Sequence, residues 1–99
     1  MHVRITRFEG TRPDELDAVA EATVAEILPV FRLVEGYRGL VGVADRETGT
    51  GLVMTFWESE EALQASEEAV GRIRVGVIPE GTSVASIEPF EVMVFEFEP

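Results

Sequence analysis

The sequence predicts a single α+β domain, a four-stranded antiparallel sheet with two helices packed on one face. Three observations carry that expectation. Four stretches have strand-like patterning, two have apolar residues at helical spacing, and their order is strand, helix, strand, strand, helix, strand. At 99 residues the chain is long enough for one core and too short for two, so residues 1–99 are read as one domain.

The first strand covers residues 2–8, with Val3 and Ile5 on one face and His2, Arg4 and Thr6 on the other. Glu9, Gly10 and Thr11 end it. Thr11 and Asp14, three apart, form a capping-box pattern, Pro13 suits a first turn, and Asp14, Glu15 and Asp17 complement the positive end of a helix dipole. Leu16, Val19, Ala20, Thr23, Val24, Ile27, Leu28 and Phe31 then draw one apolar stripe. Pro29 has no N–H to give a helix interior, so regular helix is expected to end near Leu28, followed by a turn or kinked piece through Val34.

Gly36 precedes a second strand over residues 37–44, small or apolar on both alternations. Residues 45–49 form a turn in which Gly49 supplies a positive φ, and the chain returns as a third strand over residues 50–57. Ser59 is placed as the N-cap of a second helix, followed by Glu60 and Glu61, with Ala62, Leu63, Ser66, Ala69, Val70 and Ile73 on its stripe. A last strand is expected over residues 83–97, with Pro89 marking a bulge or an edge position. This βαββαβ order is the split βαβ, ferredoxin-like arrangement.

Composition excludes several classes. All 8 basic residues are Arg, against 19 Asp and Glu, for a net charge of −11. A chain so acidic is repelled by phosphate backbones and anionic lipid, which argues against nucleic-acid and membrane partners. With 45% hydrophobic residues it is far from a disordered composition. The chain has no Cys, hence no disulfide, thiolate nucleophile or thiolate metal site. It opens directly into a strand pattern and has no run of membrane-spanning length, so a cytoplasmic location is expected. No metal site is expected, because no His, Cys or carboxylate set converges at ligand spacing. Glu60–Glu61 and Glu67–Glu68 are adjacent pairs that do not share a helix face, and read as solvated surface.

Two helices cover one sheet face only, yet both alternations of the later strands are apolar. Leu52, Met54 and Phe56 oppose Val53, Thr55 and Trp57, and Phe90, Val92 and Val94 oppose Met93, Phe95 and Phe97. An exposed apolar sheet face of that extent predicts a second layer, and a second copy supplies it: a homodimer joined through the sheet faces.

Residues 36–40 (Gly-Tyr-Arg-Gly-Leu) and 55–63 (Thr-Phe-Trp-Glu-Ser-Glu-Glu-Ala-Leu), with the closing residues 90–96, resemble the antibiotic biosynthesis monooxygenase family of the dimeric α/β-barrel superfamily. The motif content is concentrated at Trp57-Glu58-Ser59. The resemblance implies the fold strongly and the chemistry weakly, since the family includes cofactor-free oxygenases, haem-degrading enzymes and members without known activity. The haem-degrading branch implies an Asn on the first strand, a Trp ending the third and a ligand His on the second helix. Trp57 matches, but the chain has no Asn, its sole His is His2, and Glu67 and Glu68 stand near the ligand position. The resemblance therefore points away from haem and implies no cofactor.

For a cofactor-free oxygenase, the resemblance implies an apolar cavity with groups that stabilise a phenolate or enolate. The candidate catalytic residues are Trp57, as cavity wall, and Tyr37, as hydrogen-bond donor. The candidate substrate-binding residues are Arg4 and Arg38, as cationic partners, with Met54 and Phe56. Each has a plainer reading: Trp57 as core or interface, Tyr37 as a strand anchor, and the arginines as ion-pair partners of the surplus carboxylates. His2 is the one side chain of neutral-pH titration available as a proton shuttle. Two functions are carried forward. One is cofactor-independent monooxygenation of a small aromatic or polyketide-like molecule. The other is non-catalytic binding of a small apolar ligand.

Overall fold

A computed structural model describes the backbone of residues 1–99 and the side chains of residues 1–72 and 78–99. Strand β1 (His2–Glu9) leads through a 3-10 turn (Pro13–Glu15) into α1 (Leu16–Ala22), a π-helical turn (Thr23–Ile27) and α2 (Leu28–Phe31). The hairpin β2 (Tyr37–Ala44) and β3 (Gly51–Trp57) follows, then α3 (Glu60–Val77) and β4 (Ser83–Glu91). The strands form one antiparallel sheet in the order β2-β3-β1-β4. This is the expected ferredoxin-like α+β fold.

Several local expectations hold and some do not. The Ser59 Oγ accepts from the Ala62 N–H at 3.1 Å, making the N-cap of α3. Gly49 has φ 78°, and a Cβ there would overlap the carbonyl oxygen of Thr11. Pro89 lies on the edge strand β4, where its missing N–H breaks no internal ladder. The Thr11 capping box does not form. Arg12 takes the cap position without a side-chain bond, while the Thr11 hydroxyl shares a 2.8 Å hydrogen bond with that of Thr82, tying the exit of β1 to the entrance of β4.

Regular helix ends at Ala22, six residues before Leu28, yet the chain continues helically through Pro29. The Leu28 N–H reaches back to the Thr23 carbonyl, five residues away, and the Thr23 hydroxyl donates to Val19 O at 2.8 Å. The wider turn comes just before the position where Pro29 has no N–H to donate, so the helix kinks and goes on. The last strand is shorter than expected and stops at Glu91, because β1 offers no partner beyond His2. One further bond, Val92 N–H to Met1 O at 2.9 Å, extends the ladder, and residues 93–99 follow without regular structure.

The core sits at one end of the sheet. Ile27, Phe31, Trp57, Leu63 and Val70 are buried together, with Val34, Tyr37, Leu40 and Ala62 packed against them. Leu63, Ser66 and Val70 confirm the inward stripe of α3; the side chain of Ile73 lies outside the described residues. At the other end α1 stands away from the sheet, leaving Leu16 and Val19 half-buried and Val24 63% exposed.

Candidate functional site

The space between α1 and the sheet is a cavity of about 480 Å³. Leu16, Val19 and Val24 from the helical arm, Ile27 and Phe31 from its far end, and Leu40 and Val70 supply apolar wall. The register explains the floor. His2 pairs with Trp57, Arg4 with Thr55 and Thr6 with Val53, so one alternation of β1 and β3 turns toward the helices. That alternation carries Arg4, Thr6 and Thr55, which line the cavity and are 2%, 5% and 3% exposed.

Arg4 is held from above by α3. Its Nη2 donates to Leu63 O at 2.8 Å and Ser66 Oγ at 3.1 Å, and lies 2.8 Å from Glu67 Oε2. The guanidinium carbon is 5.8 Å from the centre of the Trp57 ring, within cation–π range. A buried cation is tolerated here because a carboxylate, a carbonyl and a hydroxyl take its protons.

Trp57 is fully buried behind this floor, and its Nε1–H donates to Thr55 Oγ1 at 3.0 Å. Its ring packs edge-on against Tyr37, with centroids 5.8 Å apart, and tilts against Phe31 at 6.4 Å. Trp57 and Tyr37 are thus together, but neither is among the described residues lining the cavity. Burial pushes the Tyr37 hydroxyl above its ordinary pKa, with Arg32 pulling partly the other way. Arg38 is exposed and paired with Glu58 at 3.0 Å. Met54 and Phe56 lie on the opposite sheet face, where Phe56 meets Phe95 edge-on at 5.5 Å. Of the six sequence candidates, the structure brings only Arg4 to the cavity and Trp57 to its rear.

At the mouth, Arg46 from the hairpin turn grips Asp17 of α1 through both carboxylate oxygens, at 2.8 and 3.2 Å. That contact holds the Asp17 carboxyl below its ordinary pKa and raises that of Arg46. Thr6 and Thr55 escaped the sequence reading; the sequence shows them as polar residues on one alternation of their strands, and the β1–β3 register sets that alternation toward the helices.

The model of the antibiotic biosynthesis monooxygenase family matches residues 1–70. The chain belongs to that family. Family-like folds recur among solved structures. The monooxygenase ActVA-Orf6 of Streptomyces coelicolor, in complex with nanaomycin D, is 14% identical with a TM-score of 0.68, over 97% of this chain and 92% of its own. The haem-degrader MhuD of Mycobacterium tuberculosis, with two haems bound in its active site, is 21% identical with a TM-score of 0.73, over 98% and 100%. SnoaB of Streptomyces nogalater, a cofactor-independent oxygenase, is 15% identical with a TM-score of 0.68, over 98% and 97%. No match was found among curated proteins.

The haem branch of the family can be tested on this chain's residues. The sole His, His2, lines a second cavity of about 230 Å³ with Glu60, Gln64 and Glu91, away from the larger one. Among the described residues lining the larger cavity there is no imidazole to serve as an axial haem ligand. Among the described residues no group of three or more His, Asp or Glu is placed to hold a metal ion. Among the described residues no helix is long and apolar enough to cross a membrane.

Proposed function

We propose that this family member is a cofactor-independent monooxygenase acting on a small aromatic or polyketide-like substrate held between α1 and the sheet. One observation carries the reading: a cavity of about 480 Å³, apolar on its walls, has the buried cation Arg4 on its floor. Cofactor-free oxygenation asks the protein for an apolar enclosure and stabilisation of a deprotonated substrate, and those are the features assembled here. Arg4 faces the substrate, Trp57 acts from behind the floor, and Tyr37 braces Trp57. Arg38, Met54 and Phe56 fall outside this role. Oxygen uptake with anthrone or quinol substrates and no added cofactor tests it. Uptake is expected, reduced in Trp57→Phe and Tyr37→Phe; silence across a broad panel overturns it.

A second reading has its own support. Asp17 is the one carboxylate among the described lining residues, and Arg46 lowers its basicity, so no strong general base stands among those residues. That favours a module that binds a small apolar ligand without transforming it. Native mass spectrometry distinguishes the two: a retained ligand returned unchanged after exposure to oxygen supports binding alone.

We also propose that the working form is a homodimer. The sheet face turned from the helices bears Leu52, Met54 and Phe56, with Val43 and Phe90 each 48% exposed. Met93, Val94 and Phe97 of the terminal segment are more than three-quarters exposed. Light scattering is expected to give twice the chain mass for the wild type and one chain mass for Phe56→Glu; a monomeric wild type refutes this.

A further inference from the structure

The helical arm over the larger cavity is held differently from the rest of the fold. No residue of α1 is buried, and Leu16 and Val19, which it turns into the cavity, are only half-buried. The longer helix α3 buries Leu63, Ser66 and Val70. A helix of seven residues draws its stability from packing rather than from its own hydrogen bonds, and α1 has little packing to draw on. Irregular backbone flanks it on both sides. A 3-10 turn (Pro13–Glu15) precedes it and a π turn (Thr23–Ile27) follows, and at both the regular ladder of helical bonds is interrupted, so bending there costs little. Outside these turns the chain is fixed: Thr11 is buried and bonded to Thr82 at 2.8 Å, while Ile27 and Phe31 belong to the core.

One tie crosses the mouth. Among the described residues, the only hydrogen bond or ion pair joining α1 to the sheet side of the cavity is the contact between Asp17 and Arg46 of the β2–β3 turn. Its side chains are 71% and 70% exposed, so water and salt compete for it and it breaks at small cost. A poorly packed segment with a bend at either end and one breakable tie across a cavity belongs to the low-stability end of a fold, from which moving elements are drawn.

We infer that residues 13–27 form a hinged lid over the cavity, and that the Asp17–Arg46 pair is its catch, closed in the empty protein and released each time a ligand enters or leaves. An apolar occupant gives Leu16, Val19 and Val24 the contacts they lack and so holds the lid down. The inference rests on the reading of this cavity as the binding site and adds how access to it is controlled. It holds whether or not the ligand is transformed.

Amide hydrogen exchange on the full chain, followed by nuclear magnetic resonance, reads the lid without any ligand. The hydrogen-bonded amides of α1 and the π turn are expected to exchange faster than those of β1 and β3. In Arg46→Met they should quicken by a further factor of roughly two to five, the range of an exposed ion pair, while β1 and β3 keep their wild-type rates. Molar salt should speed the wild-type arm in the same way and leave the variant unchanged. Arg46→Lys, which keeps the charge but not the two-pronged contact, should recover part of the protection. Stopped-flow mixing with N-phenyl-1-naphthylamine, a neutral apolar fluorophore, reads passage. Because the catch is closed in the empty protein as well, its loss eases entry and exit alike: in Arg46→Met both rates should rise by a similar factor, with Kd within about twofold of wild type. Gly42→Phe locates the dye, since Gly42 lines the cavity with open space at its Cβ position and the new ring fills the void; binding should be lost. Equal exchange in wild type and Arg46→Met, an arm as protected as β1, or a dissociation rate that rises while association stays constant overturns the lid. A dye that does not bind, or that binds Gly42→Phe as well, counts against the cavity as the binding site, and exchange alone then decides whether the arm opens.

Discussion

The hydrogen bond from Trp57 Nε1 to Thr55 Oγ1 predicts a strong energetic coupling between the two residues. The bond is 3.0 Å long and both side chains are buried. Thr55→Val removes the acceptor and leaves an indole N–H with no partner, at a cost of about 1–3 kcal/mol. Trp57→Phe removes the donor and part of a packed ring, and on the scale of aromatic truncations in cores costs roughly 2–3 kcal/mol. With the indole already gone, Thr55→Val orphans nothing and exchanges a hydroxyl for a methyl, so its cost should fall to about 0.5 kcal/mol or less. The expected coupling in the double-mutant cycle is therefore about 1–2 kcal/mol. Urea unfolding followed by far-ultraviolet circular dichroism is the assay, since the only Trp is absent in two of the four proteins. All four are compared at one protein concentration, because self-association would otherwise shift apparent stability. Additivity within about 0.5 kcal/mol would refute the bond as a structural determinant.

Other outcomes follow from the same geometry. Gly49→Ala places a Cβ on the Thr11 carbonyl at φ 78°, and should lower stability by about 2–4 kcal/mol in thermal melts, from left-handed backbone strain plus overlap. Ser59→Ala removes the α3 cap and should cost about 1 kcal/mol, with Ser59→Gly costing only a few tenths. Arg46 depresses the Asp17 pKa in the folded state, so its stabilising contribution is present above the ordinary carboxylate pKa and is lost as pH falls through the depressed folded value. In Arg46→Met, a carboxyl titration by nuclear magnetic resonance should show Asp17 back near its ordinary value, and the acid limb of stability should lose that contribution.

How much was legible in the sequence differs by level. Element order, the Ser59 cap, the Gly49 turn and the edge position of Pro89 follow from rules that act over a few residues, and the structure agrees. Thr11 misled because a capping pattern says nothing of a competing partner seventy-one positions away, the Thr82 hydroxyl. Pro29 left a turn or a kinked piece open, and the structure takes the kink, with a π turn ahead of the proline accommodating its missing donor. The site was only partly readable. Arg4 could be nominated, with Arg38, as a cationic partner, but Thr6 and Thr55 acquire meaning only once the β1–β3 register sets them beside it.

Strand β1 shows most clearly what the sequence withholds. Alternation separates Val3 and Ile5 from His2, Arg4 and Thr6 without saying which set turns toward the helices. The structure turns Arg4 and Thr6 inward and Val3 and Ile5 to the opposite sheet face, where Val3 is already buried within the chain. A register slip of one residue would bring Val3 and Ile5 under the helices and expose Arg4 to water, the arrangement a lone hydrophobic core would favour. The native choice is consistent across levels if both faces have a use: a second copy over Ile5, Met54 and Phe56, and a ligand over Arg4, Thr6 and Thr55. The two proposals are thus linked through one strand. Replacing Arg4 and Thr6 by apolar residues should raise chemical stability while leaving the mass in light scattering unchanged. If such a variant lost stability instead, the polar floor would be structural, and β1 would give no reason to expect a ligand.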